Sequence, residues 1–464
     1  MSEDPAFLPA TTLLERYRDQ SLSPVEVTEA CLARIEAHND TLNAFNLIDR
    51  EGARATAAES AKRWELGVPR GRLDGVPTSI KDIVWAAGWP TLKGSLTVDP
   101  NQPWEEDSPA VARLREHGAV LLGRTTTPEF GWKGVTDSPL TGITRNPWNT
   151  AKTPGGSSGG AAAAVATGMG ALALGSDGGG SIRIPAGFTG VFGHKPTFGR
   201  VPAYPPSPFG TLAHLGPMTR NVTDAALMLT VMAEGDPRDS LALPPDGSDY
   251  TQGLDDGVEG LKLAFSPTLG GHRVEPDVAE RVQLAVQRFE ALGAEVEVCD
   301  PEIPDCGPIF VCLWFSGVAA VIETIDEAGR AKMDPGLLEV ARTGAGYGLP
   351  EYLAAMRERD RVRSLMSQFH QRFDLLLTPS LPLTAFDTGL DTPLNPDGQS
   401  WANWTPFTYP FNLTGQPAAS VPCGLASDGL PVGLQIVGAR YADALVLRAA
   451  RAFEQVSPIA LPTL

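Results

Sequence analysis

Cysteine is scarce in this chain: Cys31, Cys299, Cys306, Cys312 and Cys423 are the only five in 464 residues. An odd, scattered set excludes a disulfide framework and a paired Cys-x-x-Cys zinc site. Reduced, buried thiols in a cytoplasmic protein are the expectation. Basic residues are in deficit, with 37 Lys and Arg against 55 Asp and Glu and a formal net charge of -18. That balance argues against nucleic acid or an anionic membrane as the main partner, because both are met by clustered positive charge. No stretch approaches the ~20 uninterrupted apolar residues of a membrane span. The nearest, "AAAAVATGMGALALG", is short, broken by glycine and ends at Asp177. The opening "MSEDPAFLPA" is acidic and lacks an apolar centre, so no signal peptide is expected. There is no internal repeat.

What is present is an ordinary globular balance, 42% hydrophobic and 20% charged, over a length that can bury a large core. The first clear helix opens at "LSPVEV". Ser23 reads as its N-cap, Pro24 as its first residue, Glu26 as the capping-box partner, and Leu22 with Val27 as a hydrophobic staple. Val27, Cys31 and Ile35 recur at helical spacing, and His38 and Asn39 suggest the end. A second helix covers roughly 50–66. "GVPTSIKDIV" reads as a strand ending near Lys81. Ser108 to His117 reads as a capped helix leading into the buried strand "AVLLGRT". Further strands are expected at "LKLAFS", "AEVEVC", "FDLLLTPSLP", "AASVPCG" and "VGLQIVG". Helices are expected beyond Thr223, near 276–292 and 309–331, and in "ADALVLRAARAFEQV". Strands alternating with helices give an α/β class. The turn-rich "SLALPPDGSDYTQGLDDG" marks the best internal boundary or a surface loop, so a surface subdomain or insertion is expected at about 240–370.

From Gly131 to Pro206 the chain is dense in Gly, Pro, Ser and Thr, the composition of a linker. It is nevertheless interleaved with "AAAAVA", "ALALG" and "SIRIP", which a linker does not need. "TPGGSSGG" fails as a phosphate loop, because Ala161 stands where the P-loop Lys is required. Gly168 and Gly170 make a poor dinucleotide fingerprint, since they close a helix and enter a strand rather than the reverse. Gly155 to Gly159 fit the nucleophile elbow G-x-S-x-G, which needs a downstream His as base. His194, His214, His272 and His370 are candidates, and nothing around them marks a base. In "SDGGGSIRIP", Gly178, Gly179 and Gly180 could converge backbone N–H groups on an oxyanion beside Ser181. A tight turn with a capping serine fits the same residues. Serine needs a base. Lys81, at the end of an apolar strand, serves if burial keeps it neutral; a lysine reaching solvent or paired with Asp82 fits the pattern equally.

"GGSSGG" followed by "DGGGSIRIPA", with "IKD" well upstream, resembles the amidase signature family. "TRNPWN", "FGHKPTFGRVP" and "FNLTGQPAASVPCGLASDGLPVGLQIVG" extend the resemblance from the first helix to the last. It implies a single domain over 1–464 with a mixed central β-sheet covered by helices on both faces. It also implies an amide hydrolase with a Ser–cis-Ser–Lys triad: Ser181 as acyl-forming nucleophile, Ser157 as bridging serine after a cis peptide at Gly156, and Lys81 as base. Ser158 would be a structural neighbour. The N–H groups of Gly178, Gly179, Gly180 and Ser181 would hold the oxyanion. Asp177 and Arg183, which flank the nucleophile, either pair to hold the glycine turn or are two separate loop charges. No metal or cofactor is implied; the partner is a small-molecule amide, and a homodimer is common in the family. The family usually has Thr at the positions of Ser176 and Gly178, and glycine at 178 is expected to loosen the oxyanion loop.

By position in the family, "PEFGWKGVTDSPLTG" lines the substrate pocket, with Gly131 there and Trp132 as an apolar wall. Trp401 and Trp404 either cap an acyl group or fold their own loop. A small aromatic or aliphatic amide, an anilide or a nylon-oligomer-like amide is the expected substrate. The runner-up is the glutaminase component of a tRNA-dependent amidotransferase. Against it, Thr405 stands where that protein carries an acidic residue for the glutamine amine. A binder that has lost its chemistry is the remaining alternative.

Overall fold

A computed structural model describes residues 4–394 and 403–463. Trp401 lies outside the described residues. In chain order the strands are β1 (Phe45–Ile48), β2 (Pro77–Lys81), β3 (Val120–Thr125), β4 (Asp137–Ser138), β5 (Gly142–Ile143), β6 (Leu172–Asp177), β7 (Phe192–Lys195), β8 (His214–Thr219), β9 (Lys262–Phe265), β10 (Glu295–Val298), β11 (Leu375–Pro379), β12 (Ala418–Leu425) and β13 (Pro431–Gly438). Eleven of them form one sheet in the order β1-β3-β2-β6-β8-β7-β12-β13-β11-β9-β10, and β4 pairs only with β5. The middle of the sheet is antiparallel. Parallel pairs lie towards both ends: β3–β2–β6 on one side and β11–β9–β10 on the other.

Both faces of the sheet are covered, which alternation along β13 makes plain. Val432, Leu434 and Ile436 join the main core. Val437 faces a second cluster with Phe407 and Phe411, and Gln435 meets Arg183. A strand buried on both sides loses the polar alternation of a half-exposed one. This explains why "VGLQIVG" is apolar apart from Gln435. Helices Pro276–Ala291 and Asp443–Val456 supply Val282, Phe289, Val446 and Phe453 to the main core.

Local sequence logic is followed closely. Ser23 and Glu26 form the capping box, and the helix Pro24–Leu42 ends at Asn43 in the left-handed region. It runs past the expected stop at His38, because Asn39 turns its carboxamide oxygen to the N–H groups of Ala44 and Phe45 beyond the helix. The stretch 240–260 is a connection between helix Val222–Met232 and β9, and β9 and β10 extend the same sheet. The stretch 131–206 is no linker, as its interleaved apolar runs suggest: helix Gly159–Ala166 and helix Arg183–Thr189 are buried along their whole length. A layer of helices, Gly307–Glu323, Pro335–Ala345 and Leu349–Phe369, has its own apolar cluster around Phe310, Trp314 and Val362. No described helix is long and apolar enough to cross a membrane.

Candidate active site

Parallel pairing brings the first elements of the site together. Thr78, Ser79 and Ile80 of β2 pair with Leu172, Ala173 and Leu174 of β6 in parallel. The carboxyl ends of the two strands, Lys81 and Asp177, therefore emerge on the same edge, where open α/β sheets characteristically bind ligands. Lys81 is fully buried. Its ammonium nitrogen lies 2.6 Å from Ser157 Oγ, 2.9 Å from Ser158 Oγ and 3.0 Å from Ser176 Oγ. It does not pair with Asp82, whose carboxylate faces Arg124 at 3.6 Å and accepts from Asn46 and the Leu92 N–H. Burial drives the Lys81 pKa well below the ordinary lysine value, and the more distant Asp177 only partly opposes it.

Counting protons assigns the roles of these hydroxyls. Ser158 donates its own proton to the Ser176 carbonyl at 3.0 Å, so it can only accept from Lys81. A neutral amine has two N–H bonds, which suffice for Ser158 and Ser176. Its lone pair is then left for the Ser157 hydroxyl.

The Gly156–Ser157 peptide bond is cis. A Cβ on Gly156 would collide with the Val135 carbonyl, so only glycine fits against that backbone. Ser158 N–H donates to the Ser181 carbonyl at 3.1 Å, tying the two serine loops together. Ser157 and Ser181 face one cavity. No hydrogen bond joins their hydroxyls among the described residues.

Asp177 and Arg183 are paired through both carboxylate oxygens, each at 3.0 Å, and both residues are fully buried. Burial would raise the Asp177 pKa. The Arg183 guanidinium, helped by Lys195 and Asn412, outweighs it and holds the carboxyl well below its ordinary range. Asp177 also accepts from Gly180 N–H at 2.7 Å and Ile182 N–H at 3.2 Å. Gly180 N–H is therefore engaged by the carboxylate that shapes the turn, which counts against it as an oxyanion donor.

The expectation of a loosened loop at Gly178 is corrected. A Cβ there would strike the Trp314 ring, and one on Gly179 would strike Phe310. The space a side chain would need is filled from helix Gly307–Glu323.

The cavity measures about 590 Å³. Its walls are mostly apolar, among them Ile83, Trp85, Phe130, Tyr204, Phe209 and Trp314. Phe209 stacks on Trp314 at 3.7 Å between ring centroids. Gly131 lines it, and a Cβ there would sit 3.3 Å from Ser157 Oγ. Trp132 does not line it. Positive φ at Phe130 and Gly131 turns the chain so that Trp132 runs beneath the wall, its indole N–H 3.3 Å from Asp334. Trp132 meets Ser181 only across an adjoining pocket of about 20 Å³, which Trp404 and Thr405 share. Trp404 is buried and stacks on Phe188.

No serine–histidine pair exists among the described residues, which removes the elbow. His194 lies 3.3 Å from Asp443. His214 reaches the cavity wall, but its Nδ1 is bonded to the Leu212 carbonyl at 2.8 Å. Sequence reasoning gave no site role to Ser176, Thr408, Asn412 or Gln435, and it named Phe130 only within its pocket stretch. Asn412 and Gln435 both bond Arg183, and Thr408 donates to the Gly179 carbonyl at 2.6 Å. A glutamine inside an otherwise apolar strand was the available signal, since a buried amide needs a partner.

A model of the Amidase family matches residues 26–447. An acylamidase from Rhodococcus erythropolis is 38% identical, over 97% of this chain and 96% of its own. A glutamyl-tRNA(Gln) amidotransferase component from Thermosynechococcus vestitus is 36% identical, over 94% of this chain and 95% of its own. The solved structure of a bacterial aryl acylamidase of the amidase signature family superposes with a TM-score of 0.91 at 35% identity, covering 97% of this chain and 96% of that one.

Proposed function

This chain belongs to the amidase signature family and hydrolyses amides, and we propose that it cleaves small aromatic or aliphatic amides and anilides through an acyl-enzyme on Ser181. The observation that carries this reading is the 2.6 Å contact between buried Lys81 and Ser157 beneath a largely apolar cavity that Ser181 also lines. Neutral Lys81 takes the Ser157 proton as Ser157 takes that of Ser181. Ser181 Oγ then attacks the amide carbonyl carbon. The oxyanion is held by the N–H groups of Gly178, Gly179 and Ser181, each donor being worth about 10²–10³ in rate. Collapse breaks the C–N bond, and the proton returns through Ser157 to the departing amine. Water attacks the ester by the same relay and releases the acid. The Ser157–Ser181 bond is the link the relay adds; catalytic hydrogen bonds often tighten only in the substrate complex.

The apolar walls and the neutral Thr405 favour hydrophobic amides over glutamine. The test is a panel of anilides, aliphatic amides and glutamine, with fluorophosphonate labelling. Expected are anilide hydrolysis by the purified chain and a label on Ser181, both lost in Ser181→Ala. Glutamine hydrolysis that requires a partner protein would overturn the substrate assignment in favour of the amidotransferase reading. Absence of both label and turnover would leave only a binding role.

A further inference from the structure

The cavity wall carries few charges, and all but one are engaged by a neighbouring group. Asp177 is held by Arg183. Arg238 pairs with Asp236 at 2.8 Å and covers the Tyr204 ring. The Asp239 carboxylate accepts from the Ala203 and Leu241 N–H groups. Lys93 is the exception. It is half-buried and lines the cavity, yet its ammonium makes no ion pair or hydrogen bond among the described residues. The Asp82 carboxylate behind it is engaged by Arg124 and lies beyond ion-pair distance. Burial draws the Lys93 pKa below the ordinary lysine value, with Asp82 opposing.

Its backbone is set as specifically as its charge is left open. Six described non-glycine residues have positive φ, and two of them, Lys93 at 56° and Phe130 at 52°, line this cavity. They are joined by a 2.7 Å bond from Phe130 N–H to the Lys93 carbonyl, and Lys93 N–H donates to the Asp82 carbonyl at 2.9 Å. Non-glycine residues held at positive φ concentrate at ligand sites, because the surrounding structure must enforce them. Phe130 adjoins Gly131, which abuts Ser157. The Lys93 backbone is therefore tied to the part of the cavity near the reacting centre, and its side chain lines the same cavity.

We propose that Lys93 binds a carboxylate on the amide substrate and so selects anionic amides. A compact ammonium lacking a counter-ion, on a partly desolvated apolar wall, is completed by an anionic group of the ligand, and the reduced dielectric strengthens that pair. The proposal rests on the cavity being the amide site.

The test compares anilides that differ at one end. Two carry a carboxylate, on the acyl chain of a dicarboxylic monoanilide or para on the aniline ring. Two controls carry a methyl group in its place. With Lys93→Met, KM should rise about tenfold or more for at least one carboxylate substrate, less than twofold for its methyl control, and kcat should hold. Lys93→Arg should restore most of the difference. Equal changes for charged and methyl substrates, or none, would overturn the proposal. If wild-type protein turned over none of the four and took no label on Ser181, the amide-site reading itself would fall, a result distinct from failure of Lys93 alone.

Discussion

Two regions meet at one cavity and carry different kinds of information. The segment from Thr153 to Thr189 is buried almost throughout, and its polar groups are bonded to one another, to Lys81, or to buried Thr408, Asn412 and Gln435. The helical segment from Gly307 to Phe369 packs into a separate apolar cluster and reaches the site through the Phe310 and Trp314 rings and through Ala320, Val321 and Thr324. The first is built to hold atoms still, as proton transfer and oxyanion binding require. The second supplies shape. Gly178 and Trp314 are where the two are fitted together, since a side chain on the one would occupy the space of the other.

The largest expected effect separates the regions. Ser181→Ala and Lys81→Met should each lower kcat/KM by on the order of 10⁴ or more. The melting temperature of Ser181→Ala should stay near that of the parent. Substantial activity in purified Ser181→Ala would show that the serine segment is structural only. Next comes the buried Asp177–Arg183 pair. Arg183→Met leaves Asp177 uncompensated and should cost about 3–5 kcal/mol in denaturant unfolding. A change below about 1 kcal/mol would mean that Asn412 and the turn N–H groups hold the carboxylate unaided.

The junction gives a smaller, more specific test. Gly178→Ala should cost about 1–3 kcal/mol by overpacking against Trp314. Adding Trp314→Leu should recover part of that loss, measured as a double-mutant cycle on stability and kcat/KM. Additive losses would mean that the two regions are not coupled there. The smallest effect is titration of the base. Lys81 must be neutral to accept a proton, and its pKa is lowered by burial. Activity should therefore fall as pH drops through that lowered value, by about tenfold per unit below it. An acid limb that stays in the ordinary lysine range, near 10.5, would rule out a desolvated base.

Legibility in the sequence follows the same division. Ser23 and Glu26 announced a helix because a cap is satisfied within four residues. The strand ending at Lys81 was readable because β-branched residues and a turn lie side by side. The helix Leu349–Phe369 was missed, although Ala355, Val362, Met366 and Phe369 form its buried stripe. Arginines and glutamates crowd the stripe, and one of them, Arg359, is itself buried, donating to the Leu413 carbonyl at 2.8 Å. That Trp132 faces the small adjoining pocket and not the main cavity was not legible, because two consecutive positive φ angles decide its direction.

By itself, the sequence determined the strands, the caps, the glycines that admit close backbone approach, and the serines and lysine that its motifs mark for acid–base chemistry. These are short-range matters, settled by sterics and by hydrogen bonds over a few residues. Only the tertiary structure decided that Lys81 is dry, that Arg183 meets Asn412 and Gln435, that Trp314 fills the room over Gly178, and that Lys93 stands unpaired in the cavity. Each depends on residues tens to hundreds of positions apart, because desolvation and free volume belong to the packed whole and not to any stretch of chain.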